Sequence, residues 1–131
     1  MKPNLNVIGI VTAHMERSLD FYRLLGLEAP AYDPKEDHFQ CELGNGVAVM
    51  WDTVELVKQF MPDYVHGEGG SIGLAFQCDS PAAVDEAHRT ITGAGFDSQT
   101  APWDAFWGQR YAIVKDPDGN SVSLFAPSAE A

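Results

Sequence analysis

The stretch Trp107-Gly-Gln-Arg-Tyr-Ala-Ile-Val-Lys-Asp-Pro-Asp-Gly-Asn120, running on into Ser121-Val-Ser-Leu-Phe125, decides how the chain folds. Asp116-Pro117-Asp118-Gly119 is a turn: proline presets the first central dihedral, the aspartates bond to nearby backbone, and glycine takes the positive φ. On both sides of it residues alternate with a period of two, so the two runs are expected to pair as an antiparallel hairpin. The hairpin begins at Trp107, which puts a large flat side chain at its edge and makes it a candidate pocket wall.

Outward from this hairpin, one grammar appears twice. Residues 5–11 read as an apolar strand, and Met15, Leu19, Tyr22 and Leu25 then recur at helical spacing up to a stop at Gly26. Residues 38–43 and 47–52 flank Gly44-Asn45-Gly46, a second hairpin signal. In the second half residues 71–77 read as a strand, Ser80 as an N-cap, Pro81 as the first helical position and residues 82–92 as a helix stopped by Gly93 and Gly95. Gly26-Leu-Glu-Ala29 also echoes Gly95-Phe-Asp-Ser98. The expectation is an α+β chain of two βαβββ modules, residues 1–52 and 71–127, with a linker at 53–70 and a tail at 128–131. A sheet covered by a helix on one face needs cover on the other, so the modules are expected to pair about a cleft.

The bulk properties narrow the function. A chain of 131 residues, 45% hydrophobic, suits one globular domain that folds without staples. Nineteen acidic residues against eight basic give a net charge of -11, which repels nucleic acid and anionic membranes and draws cationic small molecules, while also favouring solubility. Cys41 and Cys78 lack partners at metal or disulfide spacing and are expected to be free thiols. No apolar run approaches the roughly 18 residues of a membrane span, and Met1-Lys-Pro-Asn4 carries no export core, so a cytoplasmic location is expected.

Strand alternation separates a bulky face from a small one. Val7 and Gly9 oppose Ile8 and Ile10; Ala48, Met50 and Asp52 oppose Val47, Val49 and Trp51; Ser71, Gly73 and Ala75 oppose Ile72, Leu74 and Phe76; Ser121 and Ser123 oppose Val122 and Leu124. A face of small residues leaves room for a ligand or for close approach of another backbone. The flat side chains expected around such a space are Tyr32, Phe39, Trp51, Tyr64, Trp103, Phe106, Trp107 and Tyr111, with Met50 on its floor and Asp52 and Gln109 as polar handles. Of these, Trp51 shares parity with valines and is expected in the core, and Arg110 points away from the pocket towards a salt bridge.

The aromatic-Gly-x-Arg lead-in followed by Asp-Pro-Asp-Gly-Asn resembles the closing hairpin of the vicinal oxygen chelate superfamily, which includes glyoxalase I, extradiol dioxygenases and bleomycin resistance proteins. Trp51-Asp-Thr-Val-Glu55, Ala101-Pro-Trp103, the run from Phe106 to Asn120 and Leu124-Phe-Ala-Pro127 are similar to its mitomycin-binding resistance members. The resemblance implies βαβββ modules paired within a chain or across a homodimer, sometimes with exchanged modules. It also implies a metal in catalytic members, held by histidine and glutamate from four strands. The matching positions here are Val7, Met50, Ser71 and Ser123, none a credible ligand, so no metal, cofactor or catalytic residue is expected. Of the four histidines, His14, His66 and His88 fall off the strands, and His38 alone is a strand-borne candidate donor. The function implied is non-catalytic sequestration of a planar, basic antibiotic of mitomycin-, bleomycin- or quinoxaline-like chemistry, giving drug resistance; the alternative is a glyoxalase- or dioxygenase-like metalloenzyme.

Overall fold

The computed structural model describes residues 2–67, 69 and 72–128. Its elements run β1 (Val7–Thr12), α1 (Met15–Leu24), β2 (His38–Glu42), β3 (Ala48–Thr53), α2 (Val54–Phe60), β4 (Leu74–Gln77), α3 (Pro81–Gly93), β5 (Ser98–Ala105), β6 (Gln109–Lys115) and β7 (Ser121–Pro127). They fall into two compact units, residues 1–67 and 68–131.

The second unit is a complete βαβββ, with strand order β4-β7-β6-β5. Ser80 caps α3 by accepting from the Ala83 amide at 3.1 Å, and Pro81 follows in the first turn, where its missing N–H costs nothing. Val84 and Ile91 of α3 bury themselves together with Ala112, Val114, Val122, Leu124 and Ala126, none more than 1% exposed. Register puts these five strand residues on one face, since Ala112 pairs with Leu124 and Val114 with Val122. Arg110 lies on that face too and clamps α3 to the sheet edge: Nε and Nη2 donate to the two Asp85 oxygens at 2.9 and 3.1 Å, and Nη1 to Asp104 at 3.3 Å.

The first unit orders its strands β1-β3-β2, with β1 parallel and β2 antiparallel to β3. Leu19, Phe21 and Tyr22 of α1 are fully buried, and the Tyr22 ring centroid lies 5.9 Å from that of Trp51, itself 0% exposed. Helices α1 and α3 end alike. Leu27 N–H bonds to Tyr22 O and Gly26 N–H to Arg23 O, and Phe96 N–H bonds to Ile91 O and Gly95 N–H to Thr92 O. Both are Schellman stops, each needing a glycine with positive φ, here 93° and 94°.

The units diverge after those stops. Where the second forms β5, residues 27–37 of the first form no strand. Arg23 Nη2 donates to the carbonyls of Ala29 and Pro30 at 3.1 and 2.8 Å, occupying acceptors that a ladder would use, and Pro30 and Pro34 have no N–H to give. Within the stretch expected to be a linker, Thr53 accepts from the Leu56 amide at 3.1 Å and starts α2, whose Val57 is buried. Strand β4 starts three residues later than the expected 71–77 run: Ile72 is 80% exposed, and Ser71 lies outside the described residues.

The turn between β6 and β7 is organised by one carboxylate. Asp116 Oδ1 accepts from the Asp118 and Asn120 amides, both at 2.9 Å, and Oδ2 from Asn120 Nδ2 at 2.8 Å, while Gly119 takes φ 84°. Asp116→Ala strands two buried or half-buried amides and is expected to cost about 2 to 4 kcal/mol in urea unfolding. Arg110→Ala breaks a partly solvated clamp and should cost only about 1 kcal/mol, so the ranking of the two variants is the check. The Arg110 guanidinium beside Asp85 holds its carboxyl below the ordinary 3.8. A depressed folded value contributes stability that is complete above the unfolded pKa and lost as pH falls through the folded one. The Asp85 contribution should therefore be lost as pH falls below 3.8, and Asp85→Asn should flatten that limb of an unfolding-versus-pH curve.

Candidate functional site

The open face of the second sheet, opposite α3, carries the aromatic cluster. Register shifts in β5 bring Trp103 directly opposite Tyr111, and Tyr111 opposite Phe125. Trp107, in the turn between β5 and β6, leans into the same group. Ring centroids lie 5.5 Å apart for Trp103 and Tyr111, 5.3 Å for Trp107 and Tyr111, and 6.0 Å for Trp103 and Trp107, all near edge-on. Phe125 stacks on Tyr111 at 6.3 Å and 25°. Edge-to-face packing of this kind holds each ring by its neighbours while leaving ring faces available. Trp107 Nε1 donates to Gln109 Oε1 at 2.7 Å, so the amide fixes the indole, which is 48% exposed. Phe106 touches Trp107 at 5.0 Å but is 96% exposed at the tip.

Trp103, Trp107, Gln109 and Tyr111 are thus brought together as a wall. Phe125 belongs to it as well and was missed by the sequence reading; the signal was its parity with Ser121 and Ser123 on the small-residue face. That face continues through Ile113, Ser123 and Ala75, paired across β6, β7 and β4.

In the first unit the open face of the sheet carries Val7, Gly9 and Val11 of β1, Met50 and Asp52 of β3, and His38 and Gln40 of β2. Asp52 is only 8% exposed, and its Oδ1 lies 2.5 Å from His38 Nδ1. Asp52 pushes the His38 imidazole above its ordinary 6.5, chiefly through this hydrogen bond and then through its charge, with burial opposing them. Phe39 must be corrected: it pairs with Trp51 and is 6% exposed, so it belongs to the core face and not to a pocket wall. Tyr32 lies in the irregular loop with its ring 6.2 Å from Phe39, and Tyr64, after α2, hydrogen-bonds through its hydroxyl to His66 Nδ1 at 2.8 Å. Both lie in loops and on no strand of the sheet.

The donor set does not suit the metal that the resemblance implies for catalytic members. Val7 and Met50 offer no hard donor, Ser123 offers a neutral hydroxyl, and the fourth position, Ser71, lies outside the described residues. Among the described residues no group of three or more His, Cys, Asp or Glu side chains converges to hold an ion.

No curated protein matches the chain by sequence. Solved structures do match by fold. A glyoxalase/bleomycin resistance protein/dioxygenase from Nocardioides is 22% identical with a TM-score of 0.76, covering 100% of this chain and 87% of its own. A glyoxalase-related enzyme from Fulvimarina pelagi is 20% identical with a TM-score of 0.80, covering 94% of this chain and 87% of its own. A lactoylglutathione lyase from Agrobacterium tumefaciens is 19% identical with a TM-score of 0.67, covering 96% of this chain and 95% of its own. At these identities the likeness establishes the fold alone. Residues 4–124 match a family model, and the chain belongs to the Glyoxalase/Bleomycin resistance protein/Dioxygenase superfamily.

Proposed function

We propose that this chain binds and sequesters a planar, basic antibiotic of mitomycin-, bleomycin- or quinoxaline-like chemistry without transforming it. The observation that carries the reading is the wall of Trp103, Trp107 and Tyr111, backed by Phe125, on an open sheet face. Micromolar binding corresponds to about 8 kcal/mol, while each aromatic stack adds only about 1 kcal/mol beyond area burial. Burial of the ligand's own apolar surface must therefore supply most of the affinity, and the rings supply orientation. Gln109 supports this by holding the Trp107 indole in place before any ligand arrives, which lowers the ordering cost of binding. A cationic ring gains further from the aromatic faces and from the net charge of -11.

The similarity of the tryptophan-bearing segments to a mitomycin-binding resistance protein favours the same class of ligand. Asp52, with Oδ1 bonded to His38, is the handle proposed for an amine or carbamoyl group, and Met50 is proposed as apolar floor beside it. The reading has the modules paired, within one chain or across a homodimer, and acting in the cytoplasm, where free Cys41 and Cys78 are at home. Resistance then follows from lowering free drug or passing it to an exporter.

A glyoxalase- or dioxygenase-like metalloenzyme is the other reading, favoured by the lyase named among the similar structures and opposed by Val7, Met50 and Ser123 at the ligand positions. Titration with mitomycin C, bleomycin and a quinoxaline antibiotic, followed by tryptophan fluorescence, separates the two. Of the three tryptophans only Trp51 is buried in a core, so quenching should come from Trp103 and Trp107. Saturable quenching at micromolar drug, weakened about tenfold or more in Trp107→Ala, is the expected result, equivalent to about 1.4 kcal/mol. No response to any of the three drugs would overturn the reading.

A further inference from the structure

His38, Gln40 and Asp52 form a polar corner on the open face of the first sheet, beside Val7, Gly9, Val11 and Met50, with Glu42 further along the same face. His38 Nδ1 faces Asp52 Oδ1, and His38 Nε2 lies 3.3 Å from Gln40 Oε1. A neutral imidazole carries one N–H, yet both ring nitrogens here meet oxygen. A carboxylate only accepts, so Nδ1 donates to Asp52. Nε2 then meets the amide in one of two ways: an imidazolium donates to the Gln40 carbonyl, while a neutral ring offers a lone pair and requires the amide to present its NH2. Gln40 is exposed, so rotation about its last side-chain bond exchanges its two ends at little steric cost.

We propose that His38, Asp52 and Gln40 are a proton-controlled hydrogen-bond switch, in which the charge on the imidazole sets which end of the Gln40 amide faces outward. With His38 charged, Gln40 turns its NH2 outward and the corner favours ligand acceptors such as a carbonyl or quinone oxygen. With His38 neutral, the carbonyl turns outward beside an uncompensated Asp52, and the corner favours amines and hydroxyls. This holds whether or not a drug is the ligand.

The charged groups around the ring are few. Asp37 precedes it, Glu42 ends its strand, Asp52 faces it from β3, α2 carries Glu55 and Lys58, and β1 carries none. Of these only Asp52 acts appreciably on His38, and Gln40 adds to the same upward shift. The charged form therefore persists above pH 6.5 and gives way as pH rises through the raised value.

Long-range nitrogen–proton NMR of His38, recorded with the Gln40 side-chain amide signals across the histidine titration range, tests the switch on the unmodified protein. The expected result is a His38 midpoint above 6.5 and Gln40 amide shifts that follow the same midpoint. Asp52→Asn should lower the midpoint most, Gln40→Leu less, and Gln40→Glu should raise it. A His38 that titrates at or below 6.5, or Gln40 amide signals that ignore the His38 midpoint, would overturn the proposal.

Discussion

Three hydrogen bonds converge on the Asp116 carboxylate, and through them the β6–β7 hairpin acquires its register. A slip of one residue in that pairing would turn every side chain of β7 to the other face. Val122, Leu124 and Ala126 would then leave α3, and Phe125 would leave Tyr111. The wall of aromatic rings and the core beneath it are therefore two readouts of one turn. Arg110, on the core face of the same hairpin, adds a weaker and more solvated tie to α3.

The two halves of the chain show how far a repeated grammar carries. Both helices stop on a glycine in the left-handed region with matched bond patterns. Beyond the stop, local chemistry takes over: Arg23 collects the carbonyls of Ala29 and Pro30, and no strand forms there, while residues 98–105 pair along β6. The second unit consequently has an extra edge strand, and that strand is the one bearing Trp103.

The small-residue faces serve different chemistry in the two units. In the second, aromatic rings hold one another edge-on and a glutamine fixes the exposed indole, an arrangement suited to flat apolar ligands. In the first, a histidine is hydrogen-bonded to a nearly buried aspartate beside Val7, Gly9, Val11 and Met50, the arrangement proposed above to respond to pH. Among the described residues, Val7, Met50 and Ser123 put no imidazole or carboxylate at the positions where the resemblance implies a metal in catalytic members.

Local signals were enough to read the turn at 116–119, the helix stops, the Ser80-Pro81 cap, the inward parity of Trp51 and the parity that turns Arg110 away from the aromatic face, because each depends on residues close in sequence. Chain proximity also made the grouping of Trp103, Trp107, Gln109 and Tyr111 legible. Phe125 and the His38–Asp52 pair were not read as partners, since their neighbours come from strands whose register is set at a distance. The same reason moved Phe39 to the core: its face is decided by pairing with Trp51. The helix at 54–60 has a Thr53 cap as local as that of Ser80 and was passed over inside the expected linker, whereas the missing strand at 27–37 depended on Arg23 reaching the Ala29 and Pro30 carbonyls, side-chain bonds to backbone that compete with a strand ladder.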